Sequence, residues 1–145
     1  MNKKEQKIFR AWIALIRTNQ AALDNVEDCL KKEGLPPLGW YDVLLEINRE
    51  TDKCLRLQDI GQRVLLSKNN VTRLIDRLEK AKLVVRKKCP EDGRGVFAYI
   101  THKGQNMLKR MWPIYREAVK THFAQNLEEH EINALITIYE KIKIK

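Results

Sequence analysis

The chain has 145 residues, of which 43% are hydrophobic and 32% charged, and 28 Lys and Arg against 19 Asp and Glu give it a formal net charge of +9. This length predicts one domain with one sizeable core. No apolar run approaches the about 18 residues that cross a bilayer, and the first twelve residues lack a secretory signal, so a cytoplasmic protein without a membrane partner is expected. Three cysteines without C-x-x-C spacing argue against a disulfide framework and a zinc ribbon.

Two helices are predicted in the first third of the chain. Apolar residues recur at three- and four-residue steps over residues 5–31 and predict a long amphipathic helix, which Gly34 ends. A second helix is predicted over residues 37–48, with Pro37 in its first turn. Its apolar residues cover too wide an arc for a surface helix, so we expect it to be central: Leu38, Tyr41, Val43, Leu44, Leu45 and Ile47.

A helix-turn-helix pattern follows from residue 57. Leu57, Ile60 and Val64 predict a two-turn amphipathic helix, and Gly61 is expected to permit close approach of another helix. Leu65 and Leu66 form the predicted turn, after which Ser67 is expected to cap the next helix. Four residues of that helix have the i, i+3, i+4, i+7 spacing of an inward face: Val71, Leu74, Ile75 and Leu78.

The positive charge is concentrated around this pattern. Between Lys53 and Lys103 the chain has 13 Lys and Arg against 5 Asp and Glu, so this segment holds +8 of the formal +9. Asn, Thr and Arg can hydrogen-bond base edges, and a recognition helix meets the major groove near its N-terminus. A solvated helix face would also be polar, but the neighbouring elements favour DNA. The predicted recognition-helix contacts are Ser67, Lys68, Asn69, Asn70, Thr72, Arg73 and Arg77.

A hairpin is predicted next. Two β-rich runs, Leu83–Lys88 and Val96–Thr101, are joined by a loop with one Pro and two Gly. Such a wing can contact DNA, because an arginine at a loop tip can enter a narrow, electronegative minor groove. Asp92 could orient Arg94 or cap the turn. The predicted wing contacts are Arg86, Lys88, Asp92 and Arg94.

The terminal segments carry apolar stripes of their own. Thr101 is expected to cap a long helix, and a final amphipathic helix is predicted from Leu127 to Ile142. The middle of the chain can bury a core without these terminal stripes, so they are surplus apolar surface. Two copies related by a two-fold axis could bury them against each other. We therefore predict a homodimer built on residues 1–34 and 105–145. Packing of the stripes within the monomer remains the alternative.

Other chemistry is weakly represented. No phosphate-binding glycine loop, nucleophile elbow or acid-base pair occurs, so an enzyme is not expected. His102, His122 and His130 lack metal-site spacing, and no metal or cofactor is predicted. Redox activity of Cys29, Cys54 or Cys89 stays open.

Several motifs resemble the MarR family of bacterial winged-helix regulators. They are LPPLGWYDVLLEI, S-x-x-x-V-T-R-L-I-D-R-L-E from Ser67, L-V-x-R from Leu83, the wing D-x-R at Asp92 and I-T-x-x-G from Ile100. The resemblance covers about residues 35–104 closely; Leu65 and Gly61 depart from it, where Gly and Ala are usual. It implies a mainly α fold with a small β-hairpin wing, in one domain over residues 1–145 with its DNA-binding region at residues 35–104. It also implies a homodimer on palindromic double-stranded DNA, usually a repressor released by small anionic aromatics or by thiol oxidation.

The predicted function is therefore sequence-specific transcriptional repression. An effector crevice is predicted between the dimer helices and the winged region, with Trp12, Ile16, Trp40 and Tyr41 as its walls, although residues of this kind are more often part of the core. The alternative functions are a non-specific or architectural DNA binder and a winged-helix module for protein interactions.

Overall fold

The computed structural model describes residues 1–66, 68–88 and 95–142, so the predictions for Ser67, Cys89, Asp92 and Arg94 lie outside the described residues. The described helices are α1 (Lys3–Lys32), α2 (Leu38–Arg49), α3 (Leu57–Arg63), α4 (Val71–Lys80), α5 (His102–Val119) and α6 (Glu129–Ile142). The strands are β1 (Cys54–Arg56), β2 (Val84–Lys88) and β3 (Val96–Ile100). The predicted helical fold with a small β wing is confirmed.

Local hydrogen bonds define the ends of the long first helix. Asn2 and Glu5 cap its start reciprocally, because each side chain accepts the other residue's backbone N–H at 2.9 Å. At its end Gly34 has φ +69°, and its N–H donates to the carbonyl of Lys31 while that of Leu35 donates to Leu30. This is the Schellman motif, which needs a left-handed residue at this position. The predicted stop at Gly34 is confirmed.

The helix α2 lies in the core, as its wide apolar arc predicts. Five of its apolar side chains are buried: Leu38, Tyr41, Val43, Leu44 and Ile47. The inward face predicted for α4 is also buried, at Val71, Leu74, Ile75 and Leu78. Together with Ile60 and Val64 from α3 and its C-cap, these residues support the helix-turn-helix from within.

The sheet has one strand more than predicted. Its order is β1-β3-β2, both pairs being antiparallel, so β3 is central. The predicted hairpin is present, with Val84 opposite Ile100 and Lys88 opposite Val96. The added strand β1 places Leu55 opposite Ala98, and both are buried. Three residues are too few to show an alternating pattern, which is why β1 was not predicted.

The chain divides into two compact units that differ in how much apolar surface they bury. Residues Leu30–Ile114 form the unit with the helix-turn-helix and the sheet, and Met1–Cys29 with Tyr115–Lys145 form the terminal unit. In the described part of the terminal unit the buried apolar residues are Val26 and Ala118. None of the described helices has the length and apolar character needed to cross a membrane.

The environment of Gly61 corrects one expectation. A Cβ added there would meet the Cγ2 atom of Val71 at 3.7 Å, an ordinary van der Waals contact, so close helix approach does not require glycine. We expect Gly61→Ala to raise the free energy of unfolding by about 0.5 to 1 kcal/mol, because alanine loses less backbone entropy in a helix. Urea denaturation measures this change. A lower midpoint in the variant would show that the helix contact is tighter than this distance indicates.

Candidate nucleic-acid interface

A buried carboxylate holds the turn between α3 and α4. Asp42 on α2 is buried, and its Oδ2 atom accepts the backbone N–H groups of Leu65 at 2.7 Å and Leu66 at 2.8 Å. Hydrogen bonds to an ionised acceptor are stronger than neutral ones, so this contact fixes the turn. The sequence pattern did not predict it. The available signal was a lone aspartate among the apolar residues of α2.

The turn also accommodates Leu65 without strain. Among the described non-glycine residues, left-handed backbone angles occur at Lys53 and Lys82, with φ of 57° and 65°, and not at Leu65. A leucine is therefore compatible with this turn. Leu65 is instead a solvent-facing side chain, 79% exposed, beside the start of the next helix.

The helix predicted to read DNA, α4, begins later than expected. A short 3₁₀ turn spans Lys68–Asn70, and α4 starts at Val71 with Asn70 as its N-cap residue. Tight turns of this kind are frequent at helix N-termini, and local sequence does not separate them from the helix. The α-helix therefore starts after Asn70 and not directly after Ser67, whose own capping role lies outside the described residues.

The outward face of α4 presents the side chains predicted to contact DNA. The exposed members of that set are Asn69, Asn70, Thr72, Arg73 and Arg77. Neither Arg73 nor Arg77 forms an ion pair with any residue that the structure describes. Their guanidinium groups are free to donate to base edges or phosphates, which is the chemistry a recognition helix requires.

Aromatic rings of β3 position cations on the sheet. The Nζ atom of Lys87 lies 5.4 Å from the ring centroid of Tyr99, and the guanidinium carbon of Arg56 lies 5.4 Å from that of Phe97. Both distances suit cation–π attraction. Lys88, at the end of β2, is exposed. The described part of the wing therefore presents positive charge beside α4.

Arg86 is engaged within the domain. Its backbone N–H donates to Glu79 Oε2 at 2.9 Å, its Nε donates to Glu79 Oε1 at 3.3 Å, and its Nη2 pairs with Asp76. The side-chain hydrogen bond to Asp76 is the main cause of a raised pKa for Arg86. Its partners lie on α4, so this predicted wing contact links β2 to the recognition helix, which sequence spacing did not indicate.

The four residues predicted to line an effector site are divided between the two units. Trp12 and Ile16 are exposed on α1, in the terminal unit. Trp40 is half-buried and Tyr41 is buried, and the Tyr41 ring stacks on Trp112 with 6.4 Å between centroids. Tyr41 therefore has a core role in its own unit. The effector site stays a prediction.

Two of the three cysteines are described, and both are half-buried free thiols. Cys29 Sγ lies 3.6 Å from His122 Nε2 in the terminal unit, although the two residues are 93 positions apart. Cys54 lies in β1. Their redox activity stays an open question.

Comparison with known proteins agrees with this geometry. Residues 33–95 match the sequence model of the MarR family. The HTH-type transcriptional regulator MhqR of Bacillus subtilis is 34% identical over 113 residues, which are 78% of this chain and 74% of MhqR. AbsC, a MarR family transcriptional regulator from Streptomyces coelicolor, is 26% identical with a TM-score of 0.84, over 98% of this chain and 93% of AbsC.

A third comparison shows the same fold in a protein solved with DNA. Sco3205, a MarR family transcriptional regulator from Streptomyces coelicolor, has a TM-score of 0.84 at 24% identity, over 98% of this chain and 87% of Sco3205. The fold, the helix-turn-helix and the sequence similarity to MhqR all indicate the same family. The chain belongs to the MarR family, whose members are DNA-binding transcriptional regulators and not enzymes.

Proposed function

We propose that this protein is a homodimeric repressor whose two copies of α4 read the half-sites of a palindromic operator. The observation that carries the proposal is the outward face of α4, where Arg73 and Arg77 lack ion-pair partners among the described residues. Exposed Asn69, Asn70 and Thr72 lie on or just before the same helix. Paired donors and acceptors on a helix that fits the major groove are the means by which proteins distinguish base pairs.

Exposed apolar side chains in the terminal unit support a dimer. In the single chain α1 presents six of them to solvent: Ile8, Phe9, Trp12, Ile13, Leu15 and Ile16. The last helix adds Ile136, Ile138, Tyr139 and Ile142. Monomeric proteins rarely expose apolar surface on this scale, so burial against a second copy is favoured over packing within the monomer. A two-fold dimer would place two recognition helices on half-sites about 34 to 36 Å apart.

Sequence-specific binding is tested at Arg73. On an operator selected from random duplexes by the purified protein, we expect Arg73→Ala to cost about 1 to 3 kcal/mol and to relax discrimination at one base position. Fluorescence anisotropy on the operator and on single-base variants measures both effects. The control is Arg49→Ala, since Arg49 is exposed but paired with Glu46 on α2. Equal losses on operator and scrambled DNA would favour the non-specific binder.

The salt dependence of binding tests the nucleic-acid interface itself. Two basic segments per dimer make roughly 6 to 10 phosphate contacts plausible, so log affinity should fall with log salt at a slope of about −5 to −9. Footprinting in competitor DNA should show one discrete protected palindrome, whereas an architectural protein would coat the duplex. Repression is tested by transcription in vitro from a promoter overlapping the palindrome, which should decrease when the protein is added. A slope near zero would remove the basis of the proposal.

Dimerisation is tested on the apolar face of α1. Trp12 is 56% exposed in the single chain, so Trp12→Glu should leave the monomer folded while placing a carboxylate in the proposed interface. We expect dimer affinity to fall by about 2 kcal/mol or more, as for an interface hot spot, which is roughly a thirtyfold change. The control is Thr18→Glu, on the polar face of the same helix. Sedimentation velocity at several protein concentrations measures the dimer affinity of both variants. If both were equally dimeric, the interface would lie elsewhere.

A further inference from the structure

The recognition helix carries two carboxylates near its DNA-facing residues. Asp76 lies one helical turn beyond Thr72 and Arg73, on the same face of α4, and its side chain is 54% exposed. Glu79 follows one turn later and is 39% exposed. Carboxylates at a surface that approaches phosphates raise the electrostatic energy of the complex unless their charge is balanced. A cation beside these two carboxylates would lower that electrostatic energy.

Arg86 occupies that position. Its guanidinium donates to Glu79 through Nε and pairs with Asp76 through Nη2, and its backbone N–H donates to the second oxygen of Glu79. One arginine thus holds both carboxylates, and its strand is joined to α4 at the same point. The local charge of the three side chains is negative by one, so a phosphate would gain little from contact with this guanidinium.

We propose that Arg86 is a positioning residue for DNA binding, which holds the carboxylates of Asp76 and Glu79 and joins β2 to the recognition helix without itself contacting phosphate. The proposal rests on the DNA-binding function proposed above. It differs from the expectation that Arg86 is one of the DNA contacts of the wing. Lys88, two residues along the same strand and exposed, is the matched residue for a direct contact, because it has no ion-pair partner among the described residues.

The conservative substitution separates the two roles. A lysine at position 86 keeps the positive charge, but it lacks the planar donor set that reaches two carboxylates at once. We expect Arg86→Lys to weaken operator binding at least tenfold, close to the loss in Arg86→Ala. Retention of affinity within threefold in Arg86→Lys would overturn the proposal, since a phosphate contact tolerates lysine.

Removing the carboxylates tests the neutralising role. In Arg86→Ala combined with Asp76→Asn and Glu79→Gln, no unbalanced carboxylate remains, so part of the affinity lost in Arg86→Ala should return, while the part that depends on joining β2 to α4 should stay lost. The salt slope should equal that of the wild type, because no phosphate contact is lost. In Lys88→Ala the slope should flatten by about 0.9 for each phosphate contact removed. A triple variant that binds no more tightly than Arg86→Ala, or whose slope flattens like that of Lys88→Ala, would overturn the proposal.

A measurement without DNA keeps the inference separate from the proposed function. In urea unfolding of the free protein, the effects of Arg86→Ala and Glu79→Gln should be non-additive, because the two groups are in direct contact. Additive effects would overturn the proposed role of Arg86 in holding the carboxylates, even if the wild type binds its operator. If the wild type binds no DNA, the proposed function fails together with the positioning role, and the urea cycle reports only on the ion pairs.

Discussion

Gly104→Ala is expected to destabilise the protein by about 3 kcal/mol or more, at or above the upper end of the usual cost of overpacking. Gly104 is buried in the first turn of α5, where an added Cβ would lie 2.3 Å from the carbonyl oxygen of Leu83 and 2.7 Å from Ile100 Cγ1. The carbonyl cannot move freely, because it accepts the backbone N–H of Thr101 at 3.0 Å. The Thr101 hydroxyl is shared between this carbonyl, at 3.0 Å, and that of Lys82, at 2.7 Å. The hydroxyl of Thr101 in turn accepts the N–H of Gly104 at 3.0 Å, as predicted for the helix cap.

Gly61→Ala is the matched control for this experiment. Both substitutions add one methyl group to a helical glycine and bring the same gain in helix propensity. Only the one at Gly104 meets a backbone atom. Urea denaturation of the two variants should give shifts of opposite sign. A loss below about 1 kcal/mol in Gly104→Ala would mean that α5 can move away from β2 at little cost.

Asp42→Ala is expected to lower both stability and DNA affinity. Two backbone N–H groups lose a charged acceptor, and each such hydrogen bond contributes about 1.5 to 3 kcal/mol, so we expect a loss of about 3 to 6 kcal/mol in the free energy of unfolding. Because these bonds fix the turn before α4, the folded variant should also hold the recognition helix less firmly and bind the operator more weakly.

Hydrogen exchange locates this effect. The amides of Leu65 and Leu66 should exchange faster in Asp42→Ala than in the wild type, whereas amides in the middle of α1 should change less. Asp42→Asn is the control, since it keeps one acceptor oxygen and should show a smaller loss. Unchanged protection at both leucine amides would mean that the turn is held by other contacts.

The elements with strong local periodicity could be predicted from sequence. The apolar stripe of α1 reflects one face of a single helix, and the wide arc of α2 and the four inward residues of α4 reflect the buried side of theirs. Gly34 and Thr101 were predicted as helix boundaries because capping chemistry involves residues close in the chain. These signals need no knowledge of distant contacts.

The features that organise the interface could not be predicted in this way. Asp42 bonds to residues 23 and 24 positions later, and Arg86 reaches Asp76 and Glu79 on a different element. Strand β1 is defined by its pairing with β3, in which Leu55 lies opposite Ala98, a residue distant in the chain. Each depends on which elements become neighbours, and residue type alone does not determine a partner. The sequence predicts the cations only as a group, and it does not separate the paired Arg86 from Arg73, which has no ion pair among the described residues.

The position of β2 in the sheet has a consequence for solubility. Among the described strands β2 pairs only with β3, so its other side is an open edge onto which a strand of another molecule could add. Two features disfavour such pairing. The backbone N–H of Arg86 already donates to Glu79, and the exposed side chains of Lys87 and Lys88 add charge that opposes edge-to-edge association. The positive charges of β2 that we propose to lie near a nucleic acid should therefore also disfavour aggregation of the free protein.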